Sequence, residues 1–198
     1  MKLLIASNNA HKITEIKAIV GDFFDEVLSL REAGVEADVE ENGATFADNA
    51  RIKAEAICRM TGCAALADDS GLMVDALGGE PGVYSARYSG VHGDDAANNA
   101  KLMEKMAGVP ENERGAQFVS AIALARPGMP LVVAEGVCRG TITDAPRGEN
   151  GFGYDPVFFD PLIGKTAAQL SREDKTARSH RGNALRALLA RWEAFMAG

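Results

Sequence analysis

The chain has 198 residues, enough for one domain, or one domain with a lobe, around a sizeable core. Its 46% apolar and 25% charged content is that of an ordinary soluble globular protein. The net charge of −7 argues against nucleic acid or an anionic membrane as the main partner, although a local cluster of Lys and Arg can still hold a small anion. The three cysteines, Cys58, Cys63 and Cys138, form no C-x-x-C pair and read as reduced, buried, structural thiols rather than a metal site. The N-terminal apolar run is too short for a signal segment, and no run approaches membrane-spanning length, so a cytoplasmic location is expected.

Lys2 to Ala6 is a short apolar run that reads as a buried strand, and Ser7-Asn8-Asn9-Ala10-His11-Lys12 follows it. A helix comes next, with Ile13, Ile16, Lys17 and Val20 on one face and Gly21 as its expected stop. A strand, a small polar turn and a helix N-terminus make an anion site, because the first N–H groups lack helical partners and the dipole favours negative charge. Lys12 lies in the first turn, where a cation is poorly placed unless an anion sits beside it. The competing reading is an N-capped surface helix with a solvated lysine.

Glu26 to Leu30 reads as a strand and Val35 to Val39 as a semi-extended segment leading to Glu40 and Glu41. Thr45 and Asp48 are spaced as a capping box for a helix reaching about Met60, with Phe46, Ala50, Lys53, Ala54, Ile57 and Met60 near one side. Lys53 interrupts that apolar side, as a snorkelling stem or as a ligand contact. Ala64 to Ala67 then reads as a buried strand that runs into Asp68-Asp69-Ser70-Gly71. Carboxylates at the C-terminal mouth of a buried strand stand where open α/β sheets bind ligands. Successive strand residues face opposite sides, so Asp68 and Asp69 should do different jobs unless the chain turns between them. A solvated Asp-Ser-Gly turn is the alternative.

Strand Leu72 to Leu77 meets the Gly78-Gly79-Glu80-Pro81-Gly82 breaker, and Val83 to Gly90 suits a binding loop or an oligomer contact. Asp94 or Asp95 caps a helix to Met106, and Gln117–Ala125 and Leu131–Arg139 form a strand–turn–strand pair that Gly140–Thr143 extends. In Gly148 to Pro156, three glycines surround Phe152 and Tyr154, with Asp155 before the proline. Flexible backbone holding rigid aromatics can present a π-face to a flat ligand. A strand over Pro156–Phe159 follows, then a capping-type spacing at Ser171 to Lys175. Ser179-His180-Arg181-Gly182 opens the last helix, whose stripe of Leu185, Leu188, Leu189, Trp192 and Phe195 belongs to the core.

Taken together, Ser7, Asn9, Lys12, Lys175 and Arg181 are candidate phosphate donors, Glu40, Asp68 and Asp69 are carboxylates, and Phe152, Tyr154 and Asp155 form a base pocket. Such a set suits a nucleoside triphosphate with an oxygen-ligated cation, Mg²⁺ or Mn²⁺. Five ordered motifs carry a resemblance: Ser7–Lys12, Ala67–Leu72, Pro81–Tyr88, Gly151–Pro156 and Ser179–Gly182. Together they are similar to the inosine/xanthosine triphosphate pyrophosphatases over nearly the whole chain. The first motif departs from the family's Thr-Gly-Asn-x-x-Lys, with Ser7 keeping the hydroxyl and Asn8 standing where Gly is usual.

The resemblance implies an α/β fold with a long mixed sheet flanked by helices, in two lobes with the nucleotide in the cleft. It implies one pyrophosphatase domain over residues 1–198, a homodimer, and a small-molecule purine nucleotide as partner, with no nucleic acid or membrane. It implies hydrolysis of deaminated purine triphosphates to the monophosphate and pyrophosphate. On this reading Ser7, Asn9, Lys12, Lys175 and Arg181 hold phosphates, while Glu40 and Asp69, with Asp68 as a further candidate, hold Mg²⁺. Asp69 is also the base for the attacking water. Phe152 stacks on the purine, Tyr154, Asp155 and His180 border its edge, and Ser70 and Gly153 complete the substrate set. Two other readings stay open, a pyrophosphatase for other modified nucleotides and a nucleotide sensor without turnover.

Overall fold

The computed structural model describes residues 1–192 in full and the backbone of 193–196; Phe195, the last of the predicted stripe, lies outside the described side chains. The elements in chain order are β1 (Lys2–Ile5), α1 (Ala10–Val20), β2 (Glu26–Ser29), α2 (Phe46–Thr61), β3 (Ala64–Val74) and α3 (Asp95–Lys105). They continue with β4 (Gly115–Ala125), β5 (Val132–Ile142), β6 (Phe158–Asp160), β7 (Lys165–Thr166), α4 (Arg172–Arg178) and α5 (His180–Met196). The seven strands form one sheet in the order β2-β1-β3-β4-β5-β6-β7. Strand β1 pairs parallel with β2 and β3, whereas β5–β6 and β6–β7 are antiparallel, so the sheet is mixed as expected.

The chain forms two compact units, one of Met1–Asp69, Ser120–Gly136 and His180–Gly198, the other of Ser70–Val119 and Val137–Ser179. In the first, Leu3, Ile5, Leu66 and Ile122 from the strands pack with Ile16 and Val20 of α1 and with Ala184, Leu185, Leu188 and Trp192 of α5. The second has its own core of Leu72, Val74, Leu102, Met106, Phe118, Tyr154, Val157 and Phe158. There the Phe118 and Phe158 rings lie 4.5 Å apart between centroids, tilted by 51°.

The predicted caps form. Thr45 Oγ1 accepts from Asp48 N at 3.1 Å at the start of α2, and Gly62 closes that helix at φ 67°. Asp94 caps α3 through Ala97 N at 2.9 Å, and Ser171 caps α4 through Asp174 N at 3.1 Å. Two expectations change. Gly21 has φ −55°, keeps its N–H on Lys17 O, and lets α1 tighten into a 3₁₀ turn over Gly21–Phe23 rather than stopping it. The Asp-Asp-Ser-Gly stretch is no turn but the middle of an eleven-residue strand. Gly71 is needed there for closeness: a Cβ would meet Ser85 Oγ at 2.3 Å, and that hydroxyl accepts from Leu72 N at 2.9 Å. Val35–Val39 takes no regular structure, and of the cysteines only Cys58 is buried while Cys63 and Cys138 are partly exposed.

Candidate active site

Because β3 continues straight through both carboxylates, strand alternation sends them to opposite faces. Asp68 shares its parity with Ala64 and Leu66, on the side that packs against α1 and α5. Asp69 points to α2, where its Oδ2 accepts from Asn49 Nδ2 at 2.9 Å. The two adjacent aspartates therefore live in different chemical surroundings.

Asp68 is surrounded by donors. Its Oδ1 accepts from Ser120 Oγ at 2.5 Å, and its Oδ2 meets Lys12 Nζ at 2.8 Å and Arg181 Nη2 at 3.1 Å. Arg181, only 1% exposed, is also paired with Glu15 through Nη1. Burial alone would raise the Asp68 carboxyl, but the charges of Arg181 and Lys12, with hydrogen bonds from Lys12 and Ser120, overcome it. The net effect holds Asp68 well below the ordinary carboxylate range. The anomaly of Lys12 is thereby resolved, because the anion beside it is Asp68. An acid committed in this way is a fixed counter-ion, with both of its oxygens engaged.

Asp69 is driven the other way, up to about 6. Burial is the first cause, reinforced by the charges of Glu41 and Asp68, and only partly offset by Lys12 and the Asn49 hydrogen bond. A buried carboxylate with too little positive charge around it can take a proton, and a divalent cation would supply the missing charge. Among the described residues no three His, Cys, Asp or Glu side chains stand together as a ready metal group. Glu40 is exposed, while Glu41 is ion-paired with Lys53 at 2.5 Å, which accounts for the lysine on the apolar side of α2.

The loop after β1 folds on itself: Asn9 N donates to Ser7 Oγ at 3.2 Å, and Asn9 Oδ1 accepts from the backbone N–H groups of His11 and Lys12. Asn9 is thus the N-cap of α1, with Ser7 partly exposed just before it.

In the second unit, Phe152, Asp155 and Lys175 come together. Lys175 Nζ lies 2.6 Å from Asp155 Oδ2 and 4.6 Å from the Phe152 ring centre, and Phe152 N donates to the same Asp155 oxygen at 2.9 Å. Gly153 is pinned by Asp95 Oδ2 on its N–H and by Asn99 Nδ2 on its carbonyl, both at 2.7 Å. Ser70, partly exposed, is the first residue of this unit. Tyr154 is buried in the core and its hydroxyl donates to Ser85 O at 2.9 Å. Arg181 is buried and paired with two carboxylates, Asp68 and Glu15. Lys175 stands beside the Phe152 ring. His180 is buried at the start of α5.

Sequence reasoning missed Glu15, Asn49 and Ser120. Asn49 lies one helical step from Phe46 and Lys53 on the buried side of α2, and Ser120 interrupts an apolar strand; a polar residue at a core position was the available signal. The burial of the cluster makes a prediction. Asp68→Ala leaves Arg181 buried with one of its two acids gone, and should destabilise the fold by about 3–5 kcal/mol in urea unfolding. An unchanged unfolding midpoint would show that Asp68 is not the anchor.

Comparison with known proteins agrees with this architecture. Residues 3–191 match the model of the Ham1 family. A dITP/XTP pyrophosphatase of Geobacillus kaustophilus is 50% identical over 197 residues, covering 100% of this chain and 97% of the relative. One from Xylella fastidiosa is 50% identical over 199 residues, covering 99% of each. The solved structure of the Staphylococcus aureus Ham1 protein superposes with a TM-score of 0.88 at 45% identity, covering 98% of this chain and 100% of that one. From its first strand to its last helix, in sequence and in fold, the chain belongs to the Ham1 family.

Proposed function

We propose that this chain hydrolyses the deaminated purine triphosphates ITP, dITP and XTP to the nucleoside monophosphate and pyrophosphate, keeping such bases out of DNA and RNA. The relatives' shared name, dITP/XTP pyrophosphatase, supports the choice of substrate and product. One structural observation supports the chemistry: adjacent aspartates on one strand, one locked to two cations and the other buried with a raised proton affinity.

Asp69 is the base. Its carboxylate accepts a proton from water as the water oxygen bonds to the α-phosphorus. The P–O bond to the bridging oxygen then breaks, and pyrophosphate leaves with the electron pair. Mg²⁺ bound by Asp69 and Glu40, or Mn²⁺ in its place, would supply Lewis-acid stabilisation of the phosphoryl charge. Lys12, held in place by Asp68, gives a positive charge at the N-terminus of α1, where Ser7 and Asn9 shape a turn that favours anions. Ser70 lies next to Asp69 in the chain and serves the phosphates. Phe152 offers its ring to the purine, with Lys175, Asp155 and Gly153 setting the loop that carries it. Tyr154, His180 and Arg181 support these groups from buried positions. The family resemblance supports a homodimer, and we take the enzyme to work in the cytoplasm. Among the described residues no helix is long and apolar enough to cross a membrane.

Incubation with ITP and Mg²⁺ should yield inosine monophosphate and pyrophosphate in equal amounts, and a chelator should stop the reaction. Formation of the diphosphate and inorganic phosphate would overturn the proposal.

A further inference from the structure

We infer that Asn49 is a positioning residue that fixes the Asp69 carboxylate and ties it to the loop bearing Glu40 and Glu41. The inference rests on the reading of Asp69 as the base. Asn49 is 2% exposed, and both ends of its amide are engaged. Its Oδ1 accepts from Gly43 N at 2.8 Å, and its Nδ2 donates to Asp69 Oδ2 at 2.9 Å. The first bond decides the second: a backbone N–H can only donate, so the amide oxygen must face Gly43 and the amide nitrogen must face Asp69. A carboxylate held at one oxygen by a buried donor cannot turn freely about its Cβ–Cγ bond, which sets the plane in which it meets water and metal.

Gly43 makes this arrangement sterically accessible. A Cβ there would stand 2.6 Å from Asp48 Cβ and 2.7 Å from Asn49 Oδ1, so only glycine lets the loop come this close to α2. The Thr45 cap fixes the first turn of α2 just before Asn49, which gives the amide a rigid base. Asn49 is therefore one link between the strand that carries the base and the loop that carries the glutamates.

Two variants separate positioning from simple anchoring. Asn49→Ala removes both bonds. Asn49→Asp keeps an oxygen for Gly43 N and loses the donor toward Asp69. If Asn49 positions the base, both variants should lose about 10–100-fold in kcat for ITP. Their KM should stay within about threefold, because the triphosphate and purine are held elsewhere. Should Asn49→Ala fail to fold, the isosteric Asn49→Asp carries the test. Retained kcat in Asn49→Ala, a rise in KM alone, or recovery of kcat in Asn49→Asp would each overturn the inference. Asp69→Asn, assayed beside them, keeps the two claims apart. An inactive Asp69→Asn with normal Asn49 variants overturns the positioning role alone; an active Asp69→Asn overturns the base, and the inference with it.

Discussion

Asp69→Asn should fold, lose most of its turnover, and melt at a higher temperature than the wild type in metal-free buffer at pH 8. The amide keeps the size of the side chain but cannot take a proton, and loss of a general base costs about 10²–10⁴-fold in rate. The stability gain follows from burial. Asp69 has an ordinary value of 3.8 raised to about 6 in the fold, so its ionised form is disfavoured there. That cost is absent at low pH, grows as pH rises between the two values, and is complete above the higher one, at about 2–3 kcal/mol. The amide removes it, so the advantage of the variant should shrink as pH falls toward 4. A function-bearing residue that destabilises its own fold is a familiar trade. Near-normal turnover at saturating Mg²⁺ would remove Asp69 as the base, and a variant less stable than wild type at pH 8 would contradict the buried-charge account.

Much of the fold was legible because local signals agreed with each other. The helix starts at Thr45, Asp94 and Ser171 follow from side chains that satisfy N–H groups at a helix end, a chemistry contained in four residues. The strand through Asp68 and Asp69 was harder. Asp, Ser and Gly favour turns in isolation, and what keeps them extended is their place in a strand flanked by β1 and β4 in the sheet, partners far away in the chain. Gly21 shows the same limit, since a glycine is free to end a helix and equally free to continue it.

At the candidate site, the lone cation in the first turn of α1 was a sound signal: Lys12 needed an anion, and Asp68 provides one. The residue types alone did not reveal how the charges pair off. Arg181 and Lys175 read as phosphate donors, and the structure pairs one with Asp68 and Glu15 in the interior and the other with Asp155 beside the Phe152 ring. Strand parity separated the two aspartates in advance. The partners that give each its character, Ser120 and Asn49, come from β4 and α2 and could be found only as polar residues among apolar neighbours.

The second large effect expected concerns the base. Lys175 carries donors and no acceptor, and the carboxylate next to the Phe152 ring, Asp155, already accepts from both Lys175 and Phe152 N. Hypoxanthine and xanthine present an acceptor oxygen at purine position 6, which such donors can meet. Adenine presents an amino group there, setting donor against donor and leaving both unpaired. Sites that rely on a buried polar match can reject the wrong partner by up to about 10⁴-fold. Guanine shares the oxygen and is disfavoured through its 2-amino group, so its rejection should be weaker than that of adenine.

The specificity constant kcat/KM for ITP, XTP, GTP and ATP in the same Mg²⁺ buffer, followed by pyrophosphate release, tests the account most directly. Similar values for ITP and XTP, a clearly lower one for GTP and the lowest for ATP are the predicted result; equal values for ITP and ATP would contradict it.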